Sequence, residues 1–199
     1  MNRVVLLMAL LISGITGHCQ KFPSEFWHDG KVVLEAGDTL KGSVKYDLQS
    51  DMVQYSTGNN LELYTARKLT YFEIFDETSK RYRHFYSIPY AATGAYKAPV
   101  LFELLAEGKM TLLCRESIEY RSYSSSFYTY GSSSRLVLVY SYFLLNEGGA
   151  IEPFIGKKAD LLALMGNKSK LVEKYMKVNK LNVTDRTEFI QIIQYYNTL

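Results

Sequence analysis

Most of the chain between residues 30 and 152 alternates apolar and polar residues in the manner of β-strands. Leu40, Gly42, Val44 and Tyr46 would share one side of a strand, with Lys41 and its polar neighbours on the other. Turn residues break these runs at short intervals. The pattern predicts strands over residues 31–36, 40–47, 52–57, 61–66, 69–76, 80–88, 100–106, 109–115, 135–145 and 150–152.

The periodicity changes from strand to helix after Pro153. Apolar residues then recur every three to four positions, which predicts helices over residues 158–165, 169–179 and from Asp185 to near the end of the chain. Asp185 can cap the last helix with Glu188 three positions later. The predicted fold class is α+β, a mainly antiparallel β meander followed by a C-terminal helical segment. Whether the meander forms a barrel or a sandwich stays open.

The first nineteen residues have the pattern of a signal peptide. Arg3 precedes an apolar run from Val4 to Ile12, which is too short to span a bilayer. We expect cleavage before Gln20 and no lipid anchor at Cys19, because His18 stands where a lipobox needs a small residue. The predicted organisation is a signal peptide (1–19), a β-rich body (20–152) and helices packed on that body (153–199). The expected location is the periplasm, the outer-membrane surface or the medium.

Composition and charge exclude several classes of protein. The chain of 199 residues is 47% hydrophobic and 22% charged, which argues against disorder, and its net charge of +3 gives no footprint for binding a polyanion. One segment, Lys80 to Tyr86, interleaves basic and aromatic residues. In a strand its charges would split between the two faces, so we interpret it as a solvated edge strand and expect no nucleic-acid partner.

No catalytic, cofactor or metal motif is present in the sequence. His28 and His84 lie far apart in the chain, and each is interpreted as a half-exposed structural histidine. Cys114 alternates with Met110 and Leu112 on one strand face, which predicts a buried small side chain rather than a nucleophile.

The segment from Ser122 to Ser134 is rich in serine and tyrosine, and it predicts a loop between two strands. It is either a passive connection or an adaptable recognition surface, because rigid rings and hydroxyls suit such surfaces. In the second case the ligand-binding residues would be Tyr123, Phe127, Tyr128 and Tyr130.

The sequence resembles a family of uncharacterised exported proteins from Gram-negative bacteria. The resemblance rests on residues 37–42 (GDTLKG), 72–76 (FEIFD), 85–90 (FYSIPY), 102–105 (FELL), 107–108 (EG) and 195–197 (YYN). These motifs are turns, strands and a helix end. The resemblance therefore implies bacterial export and an architecture, and it implies no activity.

Two functional hypotheses follow. The first is an exported, non-enzymatic binding or structural module of the bacterial cell envelope, whose partner is an envelope protein or a glycan. The alternative is an envelope hydrolase that uses scattered carboxylates, for example among Glu73, Asp76, Glu103 and Glu116. An outer-membrane barrel is disfavoured by the amphipathic helical tail and by the charges on many outward positions.

Overall fold

The structure, a computed structural model, describes residues 21–58, 60–92, 94–124 and 132–199. The predicted signal peptide lies outside this range. The strands are β1 (His28–Leu34), β2 (Thr39–Asp47), β3 (Met52–Thr57), β4 (Asn60–Thr65), β5 (Leu69–Asp76), β6 (Arg81–Tyr90), β7 (Ala98–Ala106), β8 (Met110–Ser124), β9 (Ser132–Asn146) and β10 (Ile151–Phe154). The helices are α1 (Lys158–Leu164), α2 (Ser169–Asn179) and α3 (Arg186–Asn197).

The ten strands form one antiparallel sheet in the order β10-β9-β8-β7-β6-β5-β1-β2-β3-β4. Neighbours in the chain are neighbours in the sheet, except β4 and β5: β5 pairs with β1 instead. The predicted α+β class and antiparallel meander are confirmed. The order is that of an open sheet, with β10 and β4 at its two ends.

The sheet carries two apolar cores. The first lies on β1, β2, β3, β5 and β6, where Phe72 and Phe85 stack with ring centres 4.5 Å apart and are fully buried. The second joins β7–β9 to the helices, with Phe189, Ile192 and Ile193 of α3 at its centre. The amphipathic pattern of the tail therefore reflects packing onto the sheet.

The last helix is fixed at both ends. Asp185 accepts a hydrogen bond from the Glu188 backbone at 2.9 Å, the cap that the sequence predicts. At the other end the Asn197 side chain accepts a hydrogen bond from the Met110 backbone N–H at 3.0 Å. It also donates to the carbonyls of Glu107 and Met110, at 3.1 and 2.9 Å. These contacts fasten the end of the chain to the β7–β8 hairpin.

The longest hairpin, β8–β9, extends beyond the rest of the sheet. β8 pairs with β7 only from Leu112 to Cys114, whereas it pairs with β9 from Met110 to Ser124. Residues 115–124 and 132–141 thus form a two-stranded extension, which we call the β8–β9 arm. Within the described residues, no helix is long and apolar enough to cross a membrane.

The interpretation of β6 as a solvated edge strand is wrong. β6 lies between β5 and β7, and Arg83 in its middle is buried. The split of charges between two faces is correct, but one of those faces is the interior. A buried arginine such as Arg83 requires buried anions as partners, and the structure contains them.

Candidate functional site

A buried cluster of polar side chains lies where the two apolar cores meet. Its centre is Arg83 of β6, whose neighbour on the same face, Phe85, belongs to the first core. Around it lie Glu103 of β7, Glu116 of β8 and Tyr46 of β2. We call these four residues the Arg83 cluster. Each of them has a residue exposure of 5% or less.

Arg83 donates a hydrogen bond to every other member of the cluster. Its Nε and Nη2 bind the two oxygens of Glu103 at 2.9 and 2.7 Å, a bidentate geometry that favours strong pairing. Nη2 also donates to Glu116 Oε2 at 2.9 Å, and Nη1 donates to the Tyr46 hydroxyl at 2.8 Å. The Tyr46 hydroxyl in turn donates to Glu116 Oε1.

A second arginine joins the cluster from the helical side. Arg186, the first residue of α3, donates from Nη2 to Glu103 Oε1 at 2.7 Å, and its guanidinium lies 4.6 Å from the ring centre of Tyr140. Glu103 therefore lies between two guanidinium groups. Through Arg186 the cluster links the helical tail to the sheet.

Arg83 and Glu103 hold each other in the ionised state. Burial on its own would raise the pKa of Glu103, but the hydrogen bonds and positive charge of Arg83, assisted by Arg186, lower it below its ordinary value. Burial opposes the charge of Arg83, yet the bonds and charge of Glu103 raise the pKa of that guanidinium. Burial raises the pKa of the Tyr46 phenol well above its ordinary value. At neutral pH Arg83 and Glu103 form an ion pair and Tyr46 is neutral.

A cleft of about 370 Å³ opens directly beside this cluster, with Tyr46 and Glu116 in its lining. One wall comes from β2, β3 and β4, where the register aligns Lys45, Gln54 and Leu63. The other wall is the β8–β9 arm, through the cross-strand pair Ile118 and Leu138. The volume falls in the range of small-molecule and short-segment binding sites.

The lining of the cleft mixes hydrogen-bonding and apolar groups. Hydroxyl, amide and charged side chains come from Ser24, Glu25, Lys45, Asp47, Gln49, Ser50, Gln54 and Ser117. Apolar surface comes from Leu48, Met52, Leu63, Ile118 and Leu138. Leu63 is 54% exposed, so an occupant would cover apolar surface that now faces solvent.

The structure brings together three of the four carboxylates that the hydrolase hypothesis names. Glu103 and Glu116 both contact Arg83 Nη2, and Asp76 Oδ2 lies 3.8 Å from Arg83 Nη1. Glu73 lies apart, on the opposite face of β5, where it pairs with Lys31 at 2.9 Å. Of these four residues only Glu116 lines the cleft.

Sequence reasoning missed Arg83, Tyr46 and Arg186 as members of one site. Arg83 belonged to a strand interpreted as solvated, Tyr46 to an ordinary alternating strand, and Arg186 to the first turn of a helix. One signal was available: Arg83 shares a strand face with Phe85, and an arginine on an apolar face requires buried anions.

The predicted ligand-binding loop falls largely outside the described residues. This holds for Phe127, Tyr128 and Tyr130. Tyr123 lies in β8, where its backbone pairs with Ser133 of β9, so the ladder extends into the segment that was predicted to be a loop. The loop prediction is thus wrong for residues 122–124 and 132–134, which lie in β8 and β9, because serine and tyrosine can also occupy an antiparallel ladder.

The single-residue predictions have mixed outcomes. Cys114 is fully buried, as expected, with Arg186 Nη1 3.7 Å from its sulfur. His84 is half-exposed and lies 3.3 Å from Glu73. His28 is buried rather than half-exposed, because its Nε2 lies 2.8 Å from the Pro23 carbonyl in the turn that precedes β1. Among the described residues, no group of three or more His, Cys, Asp or Glu side chains is placed to hold a metal ion.

Comparison with known proteins adds no relative, since no protein-family model, curated protein or solved structure matches this chain.

Proposed function

We propose that the protein is an exported, non-enzymatic binding module of the bacterial cell envelope, and that its ligand binds in the cleft beside the Arg83 cluster. The observation that carries this proposal is an open cleft whose floor is held by a fully hydrogen-bonded buried network. A floor of this kind is preorganised, since its side chains already have their partners and do not need to rearrange. Within the described chain, every buried side-chain nitrogen or oxygen has a hydrogen-bond partner.

The ligand class follows from the lining of the cleft. Amides and hydroxyls such as Gln54 and Ser117 can both donate and accept hydrogen bonds, while Leu63 and Ile118 offer apolar contact. This combination suits a segment of an envelope protein or glycan, which presents neutral polar groups on an apolar frame. That Tyr123, Phe127, Tyr128 and Tyr130 contact the ligand stays a prediction from the sequence.

The hydrolase hypothesis is the second candidate, and one observation favours it. Glu103 and Glu116 converge on a single nitrogen, so two carboxylates lie close together, as in enzymes that use paired acids. Two features weigh against it. A general acid needs a raised pKa, whereas the pKa of Glu103 is lowered, and Glu103 is 2% exposed.

Photo-crosslinking in the native envelope tests the binding proposal. A photoreactive amino acid replaces Ser117 in the wall of the cleft, and a matched control replaces Ala92, an exposed small residue in the β6–β7 loop. We expect a discrete adduct from position 117 and none from position 92. Gln54→Trp, which fills the cleft from the opposite wall, should abolish the adduct while the protein stays folded.

Two results would overturn the proposal. Equal labelling from positions 117 and 92 would mean that the cleft has no occupant. Conversion of the crosslinked partner into cleavage products, lost in a Glu116→Gln variant that stays folded, would instead support the hydrolase.

A further inference from the structure

Positive charge is concentrated in residues 157–180, the segment that contains the first two helices. Residues 157–180 contain seven lysines and two acidic residues, so this segment carries a larger net charge than the +3 of the whole chain. The net charge of the whole chain argues against an anionic partner, but it is the sum of a basic segment, residues 157–180, and an acidic rest of the chain. Local charge, rather than the total, determines what a surface attracts.

Five of these lysines line one shallow groove between α1 and α2. The groove has a volume of about 630 Å³, and it is lined by Lys158, Lys170, Lys174, Lys177 and Lys180 together with Glu173, Met176 and Leu181. The one acidic residue in this lining, Glu173, pairs with Lys158 at 3.0 Å. We call the five lysines the lysine face; all of them are exposed.

Exposed apolar side chains lie directly beside the lysine face. Leu171 is 46% exposed and Val178 is 71% exposed. They are seven positions apart on α2, with Lys174 between them on the same side of the helix. The buried side of α2 is a different one, formed by Val172 and Met176. The helix therefore exposes aliphatic groups next to cations instead of a uniformly polar surface.

We infer that the lysine face and its two aliphatic neighbours form a docking surface for an anionic lipid bilayer. Lysines attract lipid phosphates, and the flanking Leu171 and Val178 can enter the headgroup boundary, which is how interfacial amphipathic helices bind. A soluble polyanion would use the lysines alone and leave the aliphatic residues in water. The combination favours the membrane, and it does not depend on what occupies the cleft.

Vesicle flotation of the purified chain tests this inference. The probes are phosphatidylcholine vesicles with and without phosphatidylglycerol, at ~0.05 M and ~0.5 M salt. We expect binding only to the anionic vesicles and only at low salt. Lys170→Glu, Lys174→Glu and Lys177→Glu together should weaken that binding at least about tenfold. A control with equal charge change, Lys41→Glu, Lys68→Glu and Lys97→Glu, should bind as the unmodified chain does.

A second variant separates the membrane from other anions. Leu171→Ser with Val178→Ser should reduce vesicle binding and leave the affinity for soluble polyphosphate unchanged. The chain tested begins at Gln20, the expected mature end, so the apolar run of residues 4–12 cannot bind the vesicles. An equal loss of vesicle binding in the lysine-face and control variants would overturn the inference. Unchanged vesicle binding in the Leu171→Ser, Val178→Ser variant would overturn it as well.

Discussion

Tyr46 on β2 donates a hydrogen bond to Glu116 on β8, although four strands lie between β2 and β8 in the sheet. Neighbouring strands are about 4.8 Å apart, so a flat sheet would hold these residues more than about 20 Å from each other. The contact therefore requires that the sheet fold over on itself. Arg83, from a strand between them, fills the space and binds both.

The first prediction concerns the centre of this contact. Arg83→Met should lower the free energy of unfolding by about 3 to 5 kcal/mol, because Glu116 then stays buried without its cation and Glu103 keeps only Arg186. Arg81→Met, an exposed position two residues earlier on the same strand, is the control and should change it by less than about 0.5 kcal/mol. Urea unfolding measures both. Equal effects would mean that the cluster does not support the fold.

The second prediction concerns pH. Because the folded-state pKa of Glu103 is lowered, its contribution to stability is present above its unfolded pKa of about 4.3 and is lost as the pH falls below that value. The free energy of unfolding should therefore fall between about pH 5 and pH 3. In Glu103→Gln, which cannot titrate there, this acid dependence should be shallower. An identical slope in both proteins would contradict the ion-paired state of Glu103.

The third prediction concerns the thiol of Cys114. Burial, together with the negative charge of Glu103, raises its pKa to about 12, so almost no thiolate forms near neutral pH. In the chain that begins at Gln20, where Cys114 is the one cysteine, iodoacetamide at about pH 8 should leave the folded protein unlabelled and should label it in urea. Rapid labelling of the folded protein would show that Cys114 is accessible.

The fourth prediction concerns the tie between the chain end and the β7–β8 hairpin. A Cβ on Gly108 would lie 2.4 Å from Asn197 Cγ, and φ is +152° there. Gly108→Ala should therefore destabilise the protein by about 1 to 3 kcal/mol. Gly37→Ala is the matched control, since φ is also positive but nothing lies within 4 Å. The cost of Gly108→Ala should shrink in an Asn197→Ala background, and an unchanged cost would contradict the clash.

The local structure could be predicted from the sequence wherever a short-range rule decides it. The strand from Met52 to Thr57 and the helix from Ser169 to Asn179 have the predicted bounds, and Asp185 caps the helix after it. Alternation, helical period and capping depend on residues that are close in the chain. The short-range signals were strong at these places.

The candidate site could not be predicted, because it depends on contacts between distant residues. Arg83 and Glu103 are 20 positions apart, and Tyr46 and Glu116 are 70 apart. Nothing local to β2 indicates that its tyrosine reaches β8. The wrong interpretation of β6 as a solvated strand has the same cause. A strand rich in basic residues is expected to face solvent unless the distant acidic residues that pair with it are known.

The proposed binding in the cell envelope requires that the chain be exported and its signal peptide removed. The most direct measurement is the intact mass of the protein recovered from fractionated cells that produce it naturally. We expect a chain that begins at Gln20 and is found in the envelope or the medium. A chain that retains Met1 and stays in the cytosol would contradict the account, because no envelope ligand could reach the cleft.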